Sequence, residues 1–152
     1  MYDKVLVPLG DSDDSRSVVK ALSGLVAEGG EAILLHVISP GKTKGHGDFV
    51  VLGTQLEEDQ RSQALVVLNR LSNELNEASI KSTVSVVVSN SVVGCIVNFA
   101  DKESVDLIAM YTHGRKGIAK LLKGSTTNDV RTHTRIEVQA FAAPELAQIG
   151  AG

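Results

Sequence analysis

The chain predicts an α/β fold: a five-stranded, mostly parallel, doubly wound sheet in the order 3-2-1-4-5, with helices on both faces. Three observations carry this. Short apolar runs rich in β-branched residues alternate with segments whose apolar residues recur every three or four positions, a βαβαβαβαβ series that calls for parallel strands joined by crossover helices. Several of the runs are apolar at every position, as strands covered on both faces must be. The length of 152 residues, 43% hydrophobic and 22% charged, suits one domain with its own core. That domain is expected over residues 1–141, followed by a tail over 142–152.

Lys4 to Leu9, closed by Pro8, is the first strand. Gly10-Asp11-Ser12-Asp13-Asp14 leads into Val18, Ala21, Leu22, Leu25 and Val26, the apolar face of a helix that Gly29-Gly30 is expected to end. The acidic cluster has two readings. Asp11 or Ser12 accepts from the unpaired N–H groups of that helix, or Asp11, Asp13 and Asp14 supply hard oxygen ligands to magnesium. Ala32 to Ile38 is the second strand, in which His36 reads as a packed, hydrogen-bonded histidine. From Ser39 to Gly53 the composition is that of a ligand-facing loop. Gly41-Lys42-Thr43 within it is not a Walker A loop, because His36 stands where that motif needs a glycine.

Gln55 to Ala78 carries a long helix, with Ala64, Leu68, Leu71, Leu75 and Ala78 on one face and Glu57, Glu58, Asp59, Arg61 and Glu74 on a solvated one. Ile80 to Val88 is the third strand, and Ser89-Asn90-Ser91 starts a helix faced by Val92, Val93, Ile96, Val97 and Ala100. Cys95 within it reads as an inert small side chain. Val105 to Met110 is the fourth strand, Ser125 to Thr132 a short helix and Arg135 to Phe141 the fifth strand. In that last strand Ile136, Val138 and Ala140 alternate with Arg135, Glu137 and Gln139, the pattern of a half-buried edge strand able to pair with a second copy.

Bulk properties exclude several classes. A net charge of -3 lacks the basic excess of a general nucleic-acid binder. One cysteine rules out an internal disulfide and a multi-cysteine zinc site. No apolar run approaches a membrane span and no leader precedes the first strand, so a cytoplasmic placement is expected.

Between the fourth strand and the last helix, glycines and a helix start make phosphate-binding grammar: glycines let backbone approach a ligand, and a helix N-terminus offers free N–H groups to an anion. Gly114, nine residues, then Gly124-Ser125, after Thr112-His113, is where the chain resembles the universal stress proteins, whose ATP-binding members carry Gly-x2-Gly-x9-Gly-Ser/Thr there. Tyr111 stands at the first glycine's position. Lys4-Val5-Leu6-Val7-Pro8, Leu34-Leu35-His36-Val37-Ile38 and Asp106-Leu107-Ile108-Ala109-Met110 are similar to that family's strands, so the resemblance covers nearly the whole chain. It implies ATP, with Mg2+, at the sheet's switch point, and a homodimer through the fifth strand.

Three stretches would then converge on the ligand: Pro8, Leu9, Gly10 and Asp11; Val37 and Ile38, at the positions that face adenine in the family; and Tyr111, His113, Gly114, Arg115, Gly117, Gly124, Ser125 and Thr126. Lys116, Lys120 and Lys123 add positive charge nearby. Two departures bear on affinity. The family's acidic residue falls at Gly10, with Asp11 displaced by one, and the Tyr111 ring is expected to crowd the ligand, so that Tyr111→Gly would tighten binding. The alternative is a stress protein without nucleotide, acting through dimerisation and partner binding. No catalytic residue is assigned, because Gly-x-Ser-x-Gly, His-Glu-x-x-His and the kinase signatures are all absent.

Overall fold

A computed structural model of the chain describes residues 1–9, 15–40, 44–46, 49–51, 53–112 and 124–142. The elements are β1 (Tyr2–Pro8), α1 (Ser15–Leu25), β2 (Val26–Ile38), β3 (Lys44–His46), β4 (Phe49–Val51), α2 (Gly53–Glu77), β5 (Lys81–Val88), α3 (Val92–Glu103), β6 (Leu107–Thr112), α4 (Gly124–His133) and β7 (Glu137–Ala142). Five strands form one sheet in the order β5-β2-β1-β6-β7, each neighbouring pair parallel. Counted among themselves, these strands have the predicted order 3-2-1-4-5.

The period of two along each strand sorts side chains to opposite faces. Val5, Val7 and Leu9 of the first strand region, Leu34 of β2, and Leu107, Ala109 and Tyr111 of β6 point one way, against Val18 and Leu22 of α1 and Leu68, Leu71 and Leu75 of α2. Leu6, Ile33, Leu35, Ile108 and Met110 point the other way, against Ile96, Val97 and Ala100 of α3 and Val130 of α4. Two layers of helix therefore close both faces, which is why the central strands are apolar at every position.

Several boundaries differ from expectation, each for a local reason. The first helix ends at Leu25, four residues before Gly29-Gly30, and the chain is already a strand at Val26, paired with Tyr2. The glycines serve a bulge inside β2. Four residues, 27–30, lie between the paired positions Val26 and Glu31, where β1 has only Asp3 between Tyr2 and Lys4. Gly29 sits at φ +80, a left-handed conformation that favours glycine. The 39–53 stretch, read as loop, contains the antiparallel β3–β4 pair, and α2 starts at Gly53. That long helix closes early too: Ser79 takes a left-handed φ of 65 and the Ile80 N–H returns to the Leu75 carbonyl at 2.9 Å, leaving Ala78 exposed. Of its expected solvated face, Glu58, Asp59 and Arg61 are exposed, whereas Glu57 and Glu74 are half-buried.

The fourth strand begins at Leu107 rather than Val105, because the Val105 N–H closes α3 on the Ala100 carbonyl at 3.2 Å. Asp106 then grips β1, its N–H on the Lys4 carbonyl at 2.8 Å and its carboxylate accepting from the Lys4 N–H at 3.1 Å. Ser91 caps α3 as the sequence implied, its side chain accepting from the Gly94 N–H at 2.9 Å. The last strand runs over Glu137–Ala142, so Ala142 belongs to the sheet and not to the expected tail; residues 143–152 lie outside those described. β7 is a sheet edge, with Ile136 and Val138 half-buried against the α3/α4 layer. It is tied to the start of β1 by the Tyr2 hydroxyl, which donates to Glu137 Oε2 at 2.7 Å, and by the Gln139 amide, which donates to both.

Candidate functional site

β1 and β6 are neighbours at the centre of the sheet, yet the chain leaves β1 for a helix on one face and leaves β6 for a helix on the other. Their carboxyl ends cannot both be covered, and a crevice opens there, at the switch point where open α/β sheets receive ligands. The helices that follow strands in such a fold start at that same edge, so α3 and α4 present their N-terminal turns to it.

The crevice is a cleft of about 170 Å3. Pro8 and Leu9 form one wall, Leu35, His36 and Val37 of β2 a second, and Met110 and Tyr111 of β6 a third. Val92 and Ile96 of α3 and Thr126 of α4 complete it. The lining is mainly apolar, with His36 and Thr126 as polar residues. Val92 is 41% exposed, an apolar side chain open to solvent in the cleft lining.

His36 is held by the strand end it faces. Its Nδ1 lies 2.8 Å from the Leu9 carbonyl oxygen. A carbonyl only accepts, so Nδ1 carries the proton, and in the neutral ring Nε2 is an acceptor. The Leu9 N–H donates to the Leu35 carbonyl at 2.8 Å, so the β1 exit is fixed to β2 from both its N–H and its C=O. The packed, hydrogen-bonded role read for His36 is therefore correct, and the residue is also part of the cleft wall.

Of the residues expected to meet here, the structure brings together Pro8, Leu9, Val37, Tyr111 and Thr126. Ile38 is buried at 3% exposure and borders a separate recess. Gly124 and Ser125 open α4, a ten-residue helix, so the expected helix N-terminus stands two residues before the cleft-lining Thr126. Gly10, Asp11, His113, Gly114, Arg115 and Gly117 lie outside the described residues, as do the basic side chains Lys116, Lys120 and Lys123 and the alternative magnesium ligands Asp11, Asp13 and Asp14. Among the described residues no three His, Cys, Asp or Glu side chains group to hold a metal, and no helix is long and apolar enough to cross a membrane.

Tyr111 departs from its expected place. Its ring turns into the core on the α1/α2 side, 4% exposed, with its centroid 5.0 Å from that of Phe141 and the planes tilted by 59°. Odd-numbered positions of β6 face that layer, so residue parity sends the ring into the protein and leaves the cleft open beside it. Leu35, Val92, Ile96 and Met110 are lining residues that sequence reasoning assigned only to strands and helices; nothing in their local pattern marks them, because their place follows from which elements become neighbours. Cys95 is not among the residues that line the cleft; it lies in a groove with Phe99 and Lys102, and burial pushes its thiol pKa up, which favours the protonated form.

A family model described as the universal stress protein family matches residues 1–140. Universal stress protein MJ0577 of Methanocaldococcus jannaschii is 31% identical over 150 residues, covering 86% of this chain and 88% of that protein. The solved structure of MJ0577 superposes with a TM-score of 0.74 at 25% identity, over 95% of this chain and 99% of that one. A universal stress protein in complex with cAMP has a TM-score of 0.65 at 20% identity, over 94% and 98% of the two chains. One from Archaeoglobus fulgidus in complex with dAMP has 0.62 at 17% identity, over 91% and 97%.

Proposed function

The chain belongs to the universal stress protein family, and from that premise we propose that it is a regulatory protein that binds an adenine nucleotide, with ATP and Mg2+ as the working pair, in the cleft between β1 and β6. The observation that carries the proposal is the placement of one apolar cleft at the switch point with the start of α4 on its rim. A flat heteroaromatic ring suits the apolar walls. The positive dipole end of α4 suits phosphate oxygens. Solved proteins of the same fold in complex with cAMP and dAMP support the choice of adenine. Gly114, Gly117, Gly124 and Ser125 are the positions assigned to the phosphates, with Mg2+ offsetting the phosphate charge; catalysis is not part of the proposal.

Calorimetric titration of ATP, with and without Mg2+, tests this directly. Ser125→Ala is expected to weaken ATP about fivefold to tenfold, the loss of one hydrogen bond to a charged acceptor. Gly124→Val is expected to weaken it at least as much by crowding the helix start. Parent-like affinity in both variants would move the phosphate site elsewhere. Mass spectrometry of ligand released from freshly purified protein gives an independent answer, and a protein that carries none and takes up none supports the partner-binding alternative.

We further propose a cytoplasmic homodimer paired through β7. Half-buried Ile136 and Val138 flank exposed Glu137, and among the described residues the strand is at the edge of the sheet, which supports it. Sedimentation at micromolar concentration is expected to show a dimer, and a monomer with or without nucleotide would remove this proposal.

A further inference from the structure

The sheet has a second edge. β5 is its end strand among the described residues, and it runs beside β2 from Lys81 to Val88 without a bulge. In a parallel strand each residue sends its N–H and C=O to the same side, and successive residues alternate between sides. The Ser89 N–H donates to the Ile38 carbonyl at 2.9 Å, so odd-numbered positions of β5 face β2 and the even ones, Ser82, Val84, Val86 and Val88, turn their backbone groups outward. One of those outward groups is taken. Arg61 of α2 donates from Nη1 to the Val86 carbonyl at 2.9 Å, so a long side chain from the helix layer reaches over the edge and occupies it.

Apart from that arginine, the strand carries none of the usual devices that keep an edge from pairing. Ser82 to Val88 reads Ser-Thr-Val-Ser-Val-Val-Val, with no charge, proline or glycine, and such a segment is a template for strand addition. The pattern is also self-complementary. Two copies of β5 set antiparallel about Ser85 would place Val84 opposite Val86 of the second copy, both on the face that packs on the α1/α2 core, a β-branched pair with no like charges opposed. Alone, such a contact closes as a two-fold pair. Together with pairing through β7, it would join dimers into an open, growing sheet, so use of one edge calls for closure of the other.

We propose that β5 is a latent pairing edge for β5 of a second copy and that Arg61 holds it closed. In that pairing the Val86 carbonyl would accept from the Val84 N–H of the second copy, the place now filled by the guanidinium. Both copies must release Arg61 before the outward groups can bond, and each release gives up a charge-assisted hydrogen bond. The two arginines, brought to one seam, also repel each other.

The test places a reporter at the two-fold. Ser85 turns its backbone groups toward β2, so in the antiparallel pair it would meet its own copy at a non-hydrogen-bonded position, where Cα atoms lie ~4.5 Å apart and a disulfide can close. Cys95, the one natural cysteine, is first replaced by serine, and Ser85→Cys is then compared with and without Arg61→Ala under mild oxidation. Arg61 is exposed and alanine is the best helix former, so the fold is retained, which circular dichroism checks. The expected result is a roughly tenfold or greater rise in covalent dimer with Arg61→Ala, and sedimentation of Arg61→Ala alone should show species larger than those of the parent. Adding Thr83→Lys, a charge at an exposed position of the strand, is expected to return both readings to the level of the parent. Equal cross-linking with and without Arg61 overturns the proposal, since the edge is then either open already or closed by something else. Association of the Arg61→Ala variant without the Ser85→Cys cross-link also overturns it, by placing the contact on another surface.

Discussion

Tyr111→Gly is expected to cost about 3–5 kcal/mol of folding stability, the range for removing a large aromatic side chain from a packed core. Glycine within a strand adds roughly 0.5–1 kcal/mol through backbone entropy. The ring is 4% exposed and packs on Phe141 at 5.0 Å within the cluster that includes Val7, Leu9 and Leu107, so little room exists for the site to relax. Against a total of about 5–15 kcal/mol for a domain, this is roughly a fifth or more of the stability. Urea unfolding should show the midpoint displaced by that amount, and heating should show a fall on the order of 10 °C. Tyr111→Phe keeps the ring and serves as the control. The substitution that the family pattern suggested as a gain in affinity is thus expected to be mainly a loss of fold. A glycine variant as stable as the parent would mean that the ring does not hold the core.

Gly30→Ala carries the second large effect. A Cβ on Gly30 would lie 2.8 Å from the Asp3 carbonyl oxygen, 3.0 Å from that of Ala27 and 3.1 Å from that of Tyr2. All three are backbone atoms, fixed by the pairing of β1 with β2, so no flexible side chain can move aside. Opening the bulge to admit a methyl group should cost about 1–3 kcal/mol, the usual range for overpacking. Gly29→Ala tests a different property: nothing lies within 4 Å of its added Cβ, and its cost comes from φ +80 alone. Denaturant midpoints of the two variants separate crowding from backbone strain, and a Gly30→Ala midpoint equal to that of the parent would contradict the close approach.

Much of this was legible in the residues. The apolar runs at Lys4 to Leu9, Ile80 to Val88 and Val105 to Met110 located strands to within about two residues, and Ser91 announced the start of α3. Where reading failed, it failed at glycines and at edges of elements. Gly29-Gly30 carries the same local signal whether it ends a helix or makes a bulge, and only pairing with Tyr2 and Lys4 decides between them. His36 was identified correctly as hydrogen-bonded, but its partner, Leu9, is 27 positions away.

The sequence by itself determined the fold class, because this follows from a periodicity that each segment carries locally, and its motifs carried the family resemblance that implied the strand order. It also nominated most of the strand-end residues of the cleft, since strand ends in such sheets converge. Only the tertiary structure decided which way Tyr111 points, which apolar residues of α3 and β6 line the cleft, and that Arg61 of α2 reaches the outward edge of β5. The physical reason is the same in each case. A side chain's direction depends on strand parity and on which elements pack as neighbours, and those are properties of contacts between distant segments.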